Sequence, residues 1–480
     1  MPRQPVVGAD SNAWGAVLNA YLSVAHNADG SIRNLFVNVT DPAYGADPTG
    51  VADSTTAIQA ALNAAGSAGG GVVLLPPGTY KTSASLVFNN DSVILRGAGF
   101  KNTTIKPASG AQFDVISTPI PASAGLAGYT RNFIGIEQLM IDCGVMTGTT
   151  AGQGNGIHLY GTRYSFMRDL FIQSCPNWAI LIDGDNTGPG NNFGYDNQVM
   201  HCIFDLCAAN FYQTGSENHD IIECRFKWAT GTTAAAQPAL GTQDTVGMHI
   251  RCAGGYMNIT GNVLGLGGNS VNEAIRMSNS GPSRIIGNRF DQVSQQAIVL
   301  NGANTMVIGN QIGNPSSVGT KPGIQIGSSN NTIIGNKFDN TNGAVHYTYC
   351  IAESGGPFSN NTIMGNNLVV GTTGFINLNA TSTDLVSKNS GYNPVGQVTA
   401  PAFPATTVAA TNNTGADVTA YIANGTSAIT VVQVAGIGGT YVTTGYQIAA
   451  SGWGSVRIPA GGGVKFTYAA GTPTWTWFGD

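Results

Sequence analysis

His158, Tyr160, Asp183, Tyr212, His249, Arg251 and Arg276 all lie in short stretches that alternate apolar and polar residues, and these stretches recur along the chain. They read Gly156-Ile-His-Leu-Tyr-Gly161, Ala179-Ile-Leu-Ile-Asp-Gly184, Asn210-Phe-Tyr-Gln-Thr-Gly215, Gly247-Met-His-Ile-Arg-Cys252 and Ala274-Ile-Arg-Met-Ser-Asn279. Period-two alternation in a strand sends Ile, Leu and Met inward and the residues between them to one outer face. Stacked in the alignment Phe211–Met248 and Tyr212–His249, the strands give two outward columns. The first runs His158, Leu181, Tyr212, His249, Arg276, and the second runs Tyr160, Asp183, Thr214, Arg251, Ser278. Charged residues make up only 9% of the chain, so their concentration here is a usable signal. Tyrosine faces cover the apolar side of sugar rings, and charged groups bond to hydroxyls or carboxylates. A polysaccharide chain is the substrate class this wall would take.

Two chemistries fit the charges. Glycoside hydrolysis needs two carboxyl groups, ~5 Å apart for retention and ~6.5–9.5 Å apart for inversion. Asp183, Asp185 and Glu217 are the candidate set, because adjacent strands lie ~4.8 Å apart and Asp183 is held on a strand. One of them would need a raised pKa to serve as the acid. The competing reading of each is a carboxylate tied to turn amides or to Arg251. β-Elimination would instead use Arg251 or Arg276 as the base. No dense Asp cluster for calcium accompanies them. His158 and His249, three coils apart at ~14 Å, are too distant to share a metal. No nucleophile motif or phosphate loop stands out, and no cofactor is expected.

The elements that must position this wall follow from a second repeat. Ile259-Thr-Gly-Asn262, Ile285-Ile-Gly-Asn288, Val307-Ile-Gly-Asn310, Ile333-Ile-Gly-Asn336 and Ile363-Met-Gly-Asn366 place asparagines 26, 22, 26 and 30 residues apart. Units this short cannot each bury an apolar face and must stack into a solenoid. The asparagines read as a ladder of buried amides bonding between coils, with Cys202 and Cys224 at the same position in earlier coils. Gly is 66 of 480 residues, and brief Val/Ile pairs between Gly/Asn turns give an all-β chain.

Further upstream, Val37-Asn-Val-Thr-Asp-Pro-Ala-Tyr-Gly-Ala-Asp-Pro-Thr-Gly50 precedes a helix over 56–65 capped by Asp53 or Ser54. Gly69-Gly-Gly-Val-Val-Leu-Leu-Pro-Pro-Gly-Thr-Tyr80 follows as a buried strand. Residues 37–106 closely resemble the start of pectate-lyase-like right-handed parallel β-helices, among them bacteriophage tailspikes and pectin-degrading enzymes. The looser repeats extend the likeness to about residue 390. The resemblance implies a single-stranded β-helix over 35–395 whose helix covers the open end and its unpaired edge.

Residues 1–34 form a separate segment. Trp14, Val17, Leu18, Tyr21 and Leu22 fall on one face of a helix that needs a partner. This opening resembles the virion-attachment segments of phage tail fibres and tailspikes. The implied protein is a homotrimer in the phage tail, assembled in the host cytoplasm and docked to tail or baseplate proteins through residues 1–34. It would bind a host surface polysaccharide, with or without depolymerising it. The alternatives are a free-standing secreted hydrolase or lyase of the pectinase kind and a non-catalytic receptor-binding or structural spike.

After a Pro-rich linker at 396–404, residues 405–480 alternate as a small antiparallel β-sandwich. Trp475 and Trp477 are expected to pack in its core. The net charge of −5 disfavours a nucleic-acid partner. No apolar run is long enough for a membrane helix, so no membrane insertion is expected. Met1-Pro-Arg-Gln-Pro-Val-Val-Gly8 lacks the apolar core of a secretory signal. Seven cysteines at irregular spacing read as buried free thiols rather than a disulfide framework.

Overall fold

The computed structural model describes residues 36–479 except 120–130, 148–152, 185–193, 228, 230–246, 266–270, 279–280, 294, 314–320, 340–346, 370, 380–382, 393–395 and 415. The expected helix near the amino terminus and the attachment segment 1–34 lie outside the described residues.

The chain winds as a right-handed parallel β-helix with three walls. Among the described residues the first wall has thirteen strands, from Phe36–Asn38 to Thr383–Ser387. The second has eleven, from Thr49–Asp53 to Lys337–Asp339, and the third has eleven, from Leu86–Val87 to Ile376–Asn377. One coil shows the plan: Phe166–Arg168, Phe171–Gln173 and Trp178–Asp183 contribute one strand to each wall in turn. Apolar residues at alternate positions meet inside, so Met167, Ile172, Ile180 and Ile182 of that coil are completely buried in one continuous core.

Helix α1, Thr55–Ser67, closes the amino-terminal end. Its buried Ile58, Ala61, Leu62 and Ala65 recur at helical spacing and lie on the core. Asp53 accepts the Thr55 amide at 3.0 Å, whereas the Ser54 hydroxyl accepts from the Asp47 amide instead of the helix.

Polar ladders stitch the corners. Asn262, Asn288, Asn310, Asn336, Asn366 and Asn389 are buried, and the amide nitrogen of each of the first five donates to the next side-chain oxygen along the stack. Cys224 continues the ladder by donating its backbone N–H to Asn262, and the Cys202 N–H donates to the Cys224 sulfur. All seven cysteines are buried and free. Before each of these asparagines the chain turns through a left-handed residue. Gly287, Gly309, Gly335 and Gly365 do so in later coils, and Gln138, Asp169, His201 and Glu223 make the same turn before Leu139, Leu170, Cys202 and Cys224 in earlier ones.

The carboxy-terminal unit is two four-stranded antiparallel sheets around Val418, Ile422, Phe466 and Trp477. Trp477 is enclosed and Trp475 packs beside it, half-covered, with ring centres 4.9 Å apart. The expected linker is partly structured. Gly396–Val398 pairs with Thr474–Gly479, and Phe403 stacks on Phe466 at 4.9 Å. The prolines come after the pairing ends, so they do not remove any ladder hydrogen bond.

Candidate functional site

Backbone pairing of the third wall fixes which side chains are neighbours. Across successive coils His158 lies beside Leu181, Leu181 beside Tyr212, Tyr212 beside Arg251, and Arg251 beside Arg276. Tyr160, Asp183 and Thr214 form the second column. The structure therefore moves Arg251 into the first column, where sequence alignment placed His249. His249 is a correction. It is fully buried, 2.7 Å from the Asn210 amide and 5.8 Å between ring centres from the core residue Phe226. The physical cause is a break in alternation where these strands begin. Ala179-Ile180, Asn210-Phe211, His249-Ile250, Ala274-Ile275 and Ala297-Ile298 are all buried as consecutive pairs, and Met248 is turned to the outer side. Burial lowers the His249 pKa to about 3, so the ring is neutral.

Tyr212 faces outward as expected but is only 8% exposed. It belongs to an outer apolar cluster with Trp178, Leu181, Ala209 and Met248, its ring 5.1 Å from that of Trp178. The Arg251 guanidinium lies 5.1 Å over the same ring. Tyr212 thus presents no open face for a sugar. Arg276 is also committed, forming a two-point contact with the buried carboxylate of Glu273 that includes Nε to Oε2 at 2.6 Å.

Asp183 is partly open, its side chain 34% exposed. Behind it sits His158, and behind that a residue sequence reasoning missed, Asp114. Asp114 accepts the backbone and side-chain N–H groups of Asn155 at 2.9 and 2.8 Å and holds His158 Nδ1 at 2.8 Å. His158 Nε2 points toward Asp183, 3.9 Å from its carboxylate, and makes no hydrogen bond of its own. Burial alone would lower the His158 pKa, but Asp114 and Asp183 on either side raise it to about 9. The result is a buried imidazolium aimed at a partly open carboxylate, with Tyr160 alongside in the neighbouring coil. Such a unit suits charge-assisted bonding to a hydroxyl, or proton movement through the imidazole. Asp114 escaped notice because its coil contributes only the two-residue strand Ile116–Ser117 to this wall.

Glu217 does not join it in one column. Glu217 is exposed and lies past the Gly215 turn, where isolated bridges align it with Tyr195 and Arg163. Asp185 lies outside the described residues. Among the described residues no group of three His, Cys, Asp or Glu is placed to hold a metal.

Residues 36–165 match the family "Rhamnogalacturonase A/epimerase, pectate lyase-like". Mannuronan C5-epimerase AlgE6 of Azotobacter vinelandii is 46% identical over 80 residues, which is 15% of this chain and 9% of the epimerase. The chain thus matches only a small part of that relative's length. Among solved structures, the tailspike of E. coli bacteriophage HK620, in complex with a hexasaccharide, superposes with a TM-score of 0.54. That match has 14% identity and covers 97% of this chain and 99% of the tailspike. Geobacillus virus E2 ORF18 has a TM-score of 0.50 and 19% identity, covering 91% of this chain and 77% of the other. At these identities the likeness is one of fold, the parallel β-helix.

Proposed function

We propose that this chain is a phage tailspike that binds a host surface polysaccharide and acts on it at the third wall, with Asp183 at the centre of the site. The observation that carries this reading is the His158 imidazolium held between Asp114 and Asp183. A buried charged relay ending in an accessible carboxylate is costly to maintain in a structural wall and suited to a polar polymer. The overlap with a tailspike in complex with a hexasaccharide, over nearly the whole of both chains, supports this class. In this reading Tyr160 and Arg251 contact the sugar, and Asp185 or Glu217 supplies the second carboxyl. The chain would assemble in the host cytoplasm as a homotrimer and join the tail or baseplate through residues 1–34.

A free-standing polysaccharide enzyme is the second reading, favoured by the epimerase match at the amino-terminal coils. An arginine-based elimination is less favoured, because Arg276 is occupied by Glu273.

The test is digestion of purified host-envelope polysaccharide, followed by assays of new reducing ends and of unsaturated uronate absorbance. The expected result is depolymerisation that Asp183→Asn abolishes while the polysaccharide is still retained. Undiminished turnover by Asp183→Asn would remove that residue from the mechanism. Retention without any product would make the chain a non-catalytic spike.

A further inference from the structure

A second feature lies around the corner from Asp183, where each coil passes from the third wall to the first. Here the backbone takes the left-handed conformation at Phe133, Tyr164, Asp196, Asn218 and Tyr256, with φ between 52° and 60°. Hydrogen bonds stack these five positions in successive coils: Phe133 N–H donates to the Arg163 carbonyl, Tyr164 to Tyr195, Asp196 to Asn218, and Asn218 to Gly255. Four steps of ~4.8 Å make a ridge about 19 Å long.

Asparagine and aspartate tolerate this conformation, and Asn304, Asn330 and Asn360 adopt it in later coils. A bulky aromatic does so at a cost of roughly 1–2 kcal/mol. Nor do the rings bury themselves in return. Phe133, Tyr164 and Tyr256 are 55%, 45% and 49% exposed. Instead they are arranged outside. Phe133 and Tyr164 stack nearly parallel at 5.3 Å, Tyr195 meets Tyr164 edge-on at 5.3 Å, and the Arg163 guanidinium lies 4.7 Å over Tyr195. Neither turn formation nor core packing accounts for aromatics at these positions.

Beside the ridge, a depression of about 370 Å³ opens between Tyr164, Phe166, Asp196, Gln198, Asn218 and Asp220. Its polar groups are oriented by one another. Gln198 donates to Asp220 at 3.2 Å, Asn258 donates to the other Asp220 oxygen at 3.1 Å, and Asn218 bonds to Asp196. Flat rings beside fixed carboxylate and amide acceptors are what a pyranose with its apolar face and ring of hydroxyls requires. The carboxylates Asp196 and Asp220 would repel an acidic sugar.

From this geometry we infer a second saccharide-binding site, separate from Asp183, in which the Phe133–Tyr164–Tyr256 ridge and the Asp196–Asp220 depression hold a neutral or N-acetylated oligosaccharide. The site has no need of catalysis. It retains a length of glycan at the corner while the third wall works on another, so its failure leaves the Asp183 proposal standing.

The experiment applies the full chain to a glycan array carrying neutral, N-acetylhexosamine and uronate oligosaccharides. Phe133→Asn with Tyr164→Asn removes both rings and gives the corner a residue suited to it, so the variant is expected to fold. The expected result is retention of neutral or N-acetylated glycans that falls at least tenfold in this variant and is unchanged in Asp183→Asn. Equal retention by the variant, retention of uronate glycans alone, or no retention would overturn the inference. So would a change of oligomeric state in the variant by sedimentation, which would assign the ridge to contact between copies.

Discussion

Asp114 holds His158 through a single 2.8 Å contact, 44 residues away in sequence and across the turn of a coil. Burial lowers the imidazole pKa in isolation, and the two flanking carboxylates overcome it to reach about 9. A histidine whose folded pKa exceeds its unfolded value of about 6.5 contributes stability that is complete below pH ~6.5. That stability is lost as pH rises through ~9. The chain is therefore expected to lose about 2–3 kcal/mol of stability between pH ~6.5 and ~9 from this group. Asp114→Asn should flatten that dependence and lower the plateau, measured by thermal unfolding at a series of pH values. An unaltered profile in Asp114→Asn would show that Asp114 does not hold the charge on His158.

The solenoid was legible because its later coils mark one corner with Gly-Asn. Gly287, Gly309, Gly335 and Gly365 supply the left-handed turn, and the asparagine that follows supplies the ladder. Earlier coils make the same turn with Gln138, Asp169, His201 and Glu223, which announce nothing in sequence. The site was legible only in part for related reasons. Period-two reasoning placed Asp183 beside Tyr160 correctly, because alternation holds through Ile180–Asp183. It misplaced His249, because two consecutive inward residues begin that strand and a two-residue slip of register leaves the later alternation unchanged. The aromatic corner was invisible, since it shows itself only when Phe133 and Tyr164 are stacked by the folded chain.

Arg276 tests how far the third wall is a structure rather than a binding surface. Glu273 is buried and its carboxylate is matched by the Arg276 guanidinium. Removing one partner of a buried ion pair leaves an uncompensated charge and costs about 3–5 kcal/mol. Arg276→Ala should lower the urea midpoint accordingly, and adding Glu273→Leu should recover a large part of the loss. A sugar-contacting Arg276 would behave differently, weakening glycan retention with little change in the midpoint.

The last coil carries the opposite pH signature. Asp384 accepts the Asn361 backbone N–H at 2.9 Å and lines a cavity of about 390 Å³ between the solenoid and the β-sandwich. Burial, with the nearby Glu353 carboxylate adding to it, raises the Asp384 pKa to about 6. For an acid the sign reverses. Between its ordinary value near 4 and pH ~6 the folded chain holds a proton that the unfolded chain has released, so stability falls as pH rises through that window and is level above it. Because Asp384 is partly exposed, the fall is expected to be only about 1–2 kcal/mol. Asp384→Asn, which keeps the shape without the charge, should abolish the fall and leave the chain more stable at neutral pH. Thermal unfolding between pH 4 and 7 measures both effects, and a variant no more stable than the parent at pH 7 would show that the Asp384 charge does not destabilise the fold.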